Sequence, residues 1–264
     1  MNASSIHPTA ILDPAATLAE TVRIGPFCVI GPHVTLDDNV VLHSHVSIEG
    51  RTHIGPGTEV HPFARLGGPP QHTGYRGEDT CLTIGAHNII REHTTMNIGT
   101  AAGGGETRVG NHGFFMTGAH VGHDCVVGDH VIFANNATLG GHVVVGNNVF
   151  LGGLSAVHQH CQVGAFAFLG GCAAVIHDVI PFGSANGNYA VLEGLNIIGM
   201  KRQNMEKPVI NDLRHLFRHL FDGDGRFQDR LASVPSALTQ SAEANRILDF
   251  IHRPRKRPLM LAGR

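Results

Sequence analysis

The sequence predicts an all-β solenoid, a parallel β-helix of three-sided cross-section, followed by an α-helical domain. An aliphatic residue recurs at every sixth position through most of the chain, and a small or β-branched residue follows four places after each. An amphipathic helix of 3.6 residues per turn cannot hold a strict period of six, whereas short strands joined by turns at the corners of a prism can. After Pro208 the apolar spacing changes to that of a helix.

The repeat runs from Ile6 through Leu12, Leu18, Ile24, Ile30 and onward to Leu66, with Ala10, Ala16, Val22 and Cys28 among the small partners. It resumes at Ile84, Ile90 and Met96, shifts by one residue, and continues from Val109 through Phe115, Val121 and Val127 to Val175. Three hexads make one coil, so residues eighteen apart should stack as neighbouring strands at about 4.8 Å. Both repeat positions then point inward and fill a narrow core. Function is left to the outer wall or to insertions.

Two stretches break the frame. Residues 67–83 are rich in Gly and Pro and keep register at their ends, so they read as a loop folded out from the prism. Residues 101–108 absorb the one-residue shift. Long loops in a compact solenoid are more often functional than ornamental. The pattern stops at Ile180-Pro181. Val209, Ile210, Leu213, Leu216, Phe217, Leu220 and Phe221 then recur at helical spacing, and Ile247, Leu248 and Ile251 indicate a later helix. A β-helical domain is therefore expected over 1–185 and a helical domain over 186–264, with the basic segment HRPRKRPLM frayed.

The formal net charge of −2 gives no footprint for nucleic acid. Residues 1–200 carry 6 Lys/Arg against 14 Asp/Glu and residues 201–264 carry 13 against 7, so an acidic partner would be drawn to the tail. No apolar run approaches the roughly 20 residues of a membrane span, and MNASSIHPTA lacks a signal-peptide core. A soluble cytoplasmic protein is expected. The five cysteines form no CxxC pair, and Cys28, Cys125 and Cys161 fall at small core positions.

Stacking by eighteen maps the wall. His123, Gly141, Gln159 and His177 form one column, Asp124, His142, His160 and Asp178 the next, with His120 and His158 beside them. Most of the 20 histidines read as solvated turn residues, but this strip gathers imidazoles and carboxylates over three coils. A neutral imidazole can take a proton from a hydroxyl or amine attacking a thioester. His123 beside Asp124 supplies a base and a carboxylate to fix its tautomer, and Gly141 could present an unobstructed N–H to an oxyanion. No side-chain nucleophile is required when the acceptor itself attacks, so direct acyl transfer fits.

The segments IGPFCVIGPHV (24–34), AHVGHDCVVG (119–128), ANNATLGGHV (134–143) and AVHQHCQVGA (156–165), with GNY, GLN and GMKR near 187–202, closely resemble the acyl-[acyl-carrier-protein]–UDP-N-acetylglucosamine O-acyltransferase family. The resemblance covers nearly the whole chain. It implies a left-handed β-helix and a homotrimer with sites in clefts between neighbouring prisms. It implies transfer of a 3-hydroxyacyl chain from acyl carrier protein to the 3-position of a UDP-N-acetylglucosamine-type sugar, the first step of lipid A biosynthesis. The only carrier group would be the donor's own phosphopantetheine, with no cofactor or metal on this chain. By the same resemblance His123 is the general base, Asp124 its orienting partner and Gly141 the oxyanion donor. His120, His142, His158 and Gln159 line the substrate cleft, Asn196 and Arg202 contact nucleotide or acyl phosphopantetheine, and Gly171 leaves room for a long acyl chain. Hexapeptide-repeat carbonic anhydrases, which hold a metal on three histidines, offer another expectation, but their H-x4-H pair is absent here. A non-catalytic scaffold is the expectation from a different class.

Departures from the family gather around the acceptor. Where its loop reads QDLKY this chain reads Gln71-His72-Thr73-Gly74-Tyr75, so His72 and Gly74 replace an acidic and a basic substrate contact. Ile198 stands for a Glu, Gln203 for a second Arg, and Asn97-Ile98-Gly99-Thr100 for HRGT. These changes raise an amide-forming alternative, with a UDP-2-acetamido-3-amino sugar as acceptor.

Overall fold

Two inward side chains per hexad decide the architecture. In a computed structural model, which describes residues 5–263, Val121, Leu139, Val157 and Val175 stack on one face at 0–2% exposure, with Ala119, Cys125 and Ala137 equally buried beside them. Full burial of an aliphatic side chain is favourable by about 1.5–3 kcal/mol, and each coil adds three. Parallel pairing between coils satisfies the backbone. The outcome is three sheets of 11, 9 and 8 strands. The first face begins at Ser5–Ile6, the second at Ile11–Leu12 and the third at Thr17–Leu18. Val121 pairs with Leu139 and Thr138 with Ala156, the spacing of eighteen that the repeat demands. Ile6 and Ile11, on the terminal coil, remain exposed at 44% and 66%.

The corners are left-handed turns, and this explains the Asn and His residues that recur in mid-repeat. Asn136 and Asn148 (both φ 59°) and His130 (φ 56°) hold them, residue types enriched in that region.

Both insertions are shorter than the sequence suggested. Glu59 pairs with Ile89, thirty residues on instead of eighteen, and strands Arg65–Gly68 and Cys81–Ile84 bound the first loop. Only residues 69–80 leave the prism, because the inward pattern resumes at the fully buried Leu82 rather than at Ile84. Thr95 pairs with His120 twenty-five residues on, four hexads plus the one-residue shift. There a 3-10 turn, Ala101–Gly103, leads into strand Glu106–Val109, so residues 106–108 are wall and not loop.

Past Val175 the wall continues. Gly183–Asn186 extends the first face and folds back antiparallel onto Val191–Leu195, through a turn with Gly187 at φ +100°. Residue 185 therefore lies inside a strand. Four helices follow: α1 (Ile197–Arg202), α2 (Lys207–Phe217), α3 (Phe227–Ala232) and α4 (Ala242–His252). α2 buries Ile210, Leu213, Leu216 and Phe217, and a π-helical turn, Arg218–Asp222, buries Leu220 and Phe221. No helix among the described residues is long and apolar enough to cross a membrane.

The basic segment at 252–260 is not frayed. Asp178 N–H donates to the Pro258 carbonyl and Met260 N–H to the Asp178 carbonyl, both at 2.8 Å, and Met260 is 1% exposed. Charged residues dominate the composition of this strap, but backbone pairing and one buried methionine hold it. Cys28, Cys125 and Cys161 are buried, and burial pushes the Cys125 thiol up to about 12.

Candidate active site

The corner between His120–Val121 and Val126–Val127 turns through Asp124 at φ 61°, which brings His123 and Asp124 together at 8% and 6% exposure. His123 Nδ1 lies 2.7 Å from Asp124 Oδ2, and the carboxylate itself is fully buried. Two residues from elsewhere hold Asp124, Thr100 by its carboxylate and Thr107 by its backbone. Thr100 donates its N–H to Oδ1 and its hydroxyl to Oδ2, both at 2.7 Å, while Asp124 N–H donates to Thr107 Oγ1 at 2.8 Å. Burial raises the Asp124 pKa, but the Thr100 amide, His123 and the Thr100 hydroxyl outweigh it and hold the group below its ordinary value. An ionised carboxylate only accepts, so neutral His123 carries its proton on Nδ1 and turns the Nε2 lone pair outward.

Gly141 lies one coil above. A Cβ there would stand 2.5 Å from His123 Cε1 and 2.6 Å from Nε2, so only glycine leaves that face of the imidazole open. Its N–H has no acceptor among the described residues. His142 meets His123 edge-on at 5.1 Å and stacks on His160 at 4.5 Å, with its Nδ1 3.7 Å from Asp124 Oδ2. His120 Nδ1 sits 2.7 Å from Thr95 Oγ1. Burial is the main force pushing the pKa values of His120 and His142 down, which favours neutral imidazoles around His123. The first insertion folds over the group: His72 contacts His123 edge-on at 5.4 Å, steadied by Gly74 N–H donating to its Nδ1 at 3.1 Å. His72, His120, His123, Gly141, His158 and Gln159 line one cleft of about 630 Å³.

Three of the residues singled out in the sequence lie elsewhere. Asn196 and Arg202 line a separate cavity of about 570 Å³ on the first face, beside Phe150, Phe166 and Phe168. Asn196 also caps α1, accepting from Gly199 N–H and donating to the Phe166 carbonyl, both at 2.9 Å. Gly171 occupies the corner between first and second faces, where an added Cβ would meet nothing nearer than the Gly153 carbonyl at 3.6 Å. Sequence reasoning gave no role to Thr100, named only as the last residue of the segment that stands for HRGT, and missed Thr107, whose only signal was its place at the frame shift. It also missed Arg257, which the strap brings to His158.

His123, Asp124 and His142 present three ligand atoms within 4.8 Å, as do His43, Glu59 and His61 on the first face. In the first group both carboxylate oxygens already accept hydrogen bonds, so a cation there would have to displace a hydrogen-bonding partner.

A hexapeptide prism with an imidazole–carboxylate pair on its wall is the architecture of a hexapeptide-repeat transferase, and residues 106–141 match the bacterial transferase hexapeptide model. Residues 178–260 match the model described as UDP N-acetylglucosamine O-acyltransferase, domain 2. The acyl-[acyl-carrier-protein]–UDP-N-acetylglucosamine O-acyltransferase of Caulobacter vibrioides is 54% identical over 98% of this chain and 99% of its own. That of Azorhizobium caulinodans is 52% identical over 98% and 96%. The solved UDP-N-acetylglucosamine O-acyltransferase of Moraxella catarrhalis superposes with a TM-score of 0.92 at 38% identity, covering 97% of this chain and 99% of that one. The chain belongs to the acyl-[acyl-carrier-protein]–UDP-N-acetylglucosamine O-acyltransferase family, and its prism is the left-handed parallel β-helix.

Proposed function

We propose that this chain transfers a 3-hydroxyacyl group from acyl carrier protein to the 3-hydroxyl of UDP-N-acetylglucosamine, the first step of lipid A biosynthesis, in the cytoplasm. The observation that carries the site assignment is the His123–Asp124 pair, 2.7 Å apart, beneath the free N–H of Gly141. His123 Nε2 takes the acceptor's hydroxyl proton as that oxygen attacks the thioester carbonyl. The carbonyl becomes an oxyanion, and the Gly141 N–H donates to it. Collapse expels the phosphopantetheine thiolate, which takes the proton back from His123. Asp124 holds the imidazolium formed between the two steps and stays ionised. This chemistry needs neither cofactor nor metal.

A homotrimer completes the reading. Asn196 and Arg202 lie on the first face and His123 at a corner of the second, so a neighbouring prism would bring the two sets into one cleft. The Ile198 side chain beside them is 67% exposed, an apolar residue that a subunit contact would cover. Open space at Gly171 suits a long acyl chain. Acyl carrier proteins are acidic, and the excess of 13 Lys/Arg over 7 Asp/Glu beyond residue 200 supports docking on the helical tail.

The hydroxyl acceptor is favoured because relatives at about half identity are named O-acyltransferases. The amide-forming alternative raised by His72, Gly74 and Ile198 gains no support from them. Mass spectrometry of the product from a panel of acyl-carrier-protein donors tests the proposal with both acceptors. An ester on UDP-N-acetylglucosamine is expected. An amide formed faster on the amino sugar, or no acyl product, overturns it.

A further inference from the structure

We propose that Arg257, carried by the C-terminal strap, is a positioning residue for His158. It fixes that imidazole as the tautomer whose Nε2–H is turned away from the strap, as a hydrogen-bond donor to the bound substrate. The reaction it serves is the one proposed above, and the inference rests on that reading.

Arg257 makes a two-pronged contact with one turn of the wall. Its Nε donates to the Gln159 carbonyl at 3.0 Å, and a terminal nitrogen lies 2.6 Å from His158 Nδ1. A guanidinium has five donors and no acceptor, so His158 Nδ1 must be the accepting nitrogen. Nδ1 also lies 3.2 Å from the Gln159 carbonyl, a contact that would need the opposite tautomer. The shorter distance and the fixed donor character of arginine decide between them, and the carbonyl already receives Arg257 Nε. The ring proton then sits on Nε2, across the ring from the strap, and His158 lines the cleft that holds His123. His123 and His158 thereby take opposite tautomers in one cleft. Asp124 leaves His123 with a lone pair at Nε2, and Arg257 leaves His158 with a proton there. One is made a base and the other a donor by a charged neighbour of opposite sign.

The prongs are steady because the strap is anchored independently of them. Met260 is buried, Asp178 and the strap exchange two backbone hydrogen bonds, and Arg255 donates to the carbonyls of Phe250 and Ile251 at the end of α4. Removing the Arg257 side chain should therefore leave the strap in place.

The test compares wild type, Arg257→Met and Arg257→Lys as full chains, reading the ¹⁵N shifts of His158 together with steady-state kinetics. Wild type should show His158 protonated on Nε2. In Arg257→Met the ring should become a tautomer mixture, and KM for the sugar nucleotide should rise roughly threefold to tenfold, the range of one hydrogen bond. The kcat should hold, since the contact is made equally in ground and transition states. Arg257→Lys restores a donor and should recover the tautomer and most of the KM. An unchanged His158 signature in Arg257→Met overturns the proposal. So does a fall in kcat with KM unchanged that lysine does not rescue, which would mark a merely structural role. If the wild type transfers no acyl group, the function reading fails, and the ¹⁵N comparison still decides the tautomer.

Discussion

Replacing Asp124 by Asn exchanges one carboxylate oxygen for an NH₂ group and removes the charge, with almost no change in volume. The carboxylate accepts three hydrogen bonds, at 2.7 Å each, from Thr100 N–H, the Thr100 hydroxyl and His123 Nδ1–H. An amide has one oxygen. If that oxygen keeps the Thr100 N–H, the new NH₂ faces the Thr100 hydroxyl, which can turn to accept, and His123 Nδ1, which can accept only by moving its proton to Nε2. The reverse orientation sets NH₂ against the Thr100 N–H, a buried donor facing a donor at a cost of about 1–3 kcal/mol. The first arrangement therefore wins, and it removes the lone pair that abstracts the acceptor's proton. Asp124→Asn should lose about 10²–10⁴-fold in kcat, the worth of a general base, with KM for either substrate little changed. Thermal unfolding should move by no more than a few degrees. Activity within roughly threefold of wild type, on a correctly folded variant, would refute the tautomer reasoning built on the conventional range for such a base.

His123→Ala should cost at least about 10²-fold in rate with assembly intact, read by the same product assay; full activity would remove His123 from the mechanism. Gly141→Ala should be nearly as damaging, because its methyl would stand 2.5 Å from His123 Cε1, and a crystal structure should show that ring displaced. Asp124 also links stability to pH. Its folded pKa lies below the unfolded value of about 3.9, so its contribution is complete above that value and is lost as pH falls through the lower folded one. Urea midpoints of wild type should consequently fall more steeply with acidification than those of Asp124→Asn, and parallel curves would count against the assignment. Raising ionic strength should increase KM for acyl carrier protein if the basic tail steers it; a salt-independent KM would leave that tail without the role.

The prism was legible because a period of six over many coils admits few solutions, and spacing by eighteen then set His123 under Gly141 without any coordinates. The limits of the insertions were less legible. Leu82 reads as one more residue of a Gly- and Pro-rich stretch until its neighbours up and down the stack show it to be core. The hairpin at 183–195 has no hexad signature, since it closes the first face by antiparallel pairing rather than by another coil.

Sequence alone determined what depends on local repetition: the inward aliphatic and small residues, the corner turns, the amphipathic tail, and the two adjoining columns that stack Gly141 on His123 and His142 on Asp124. Those relations are one strand or one residue long. Tertiary structure decided the contacts that cross many residues with no period to announce them. Thr100 grips Asp124 from twenty-four residues away, His72 closes over His123 from the first loop, and Arg257 reaches His158 from ninety-nine. It also separated Asn196 and Arg202 from the histidine cleft of the same chain. The physical reason is the same in each case. Stacking is dictated by core volume, which repeats, whereas loop and strap docking depends on a few hydrogen bonds and a single buried side chain, which do not.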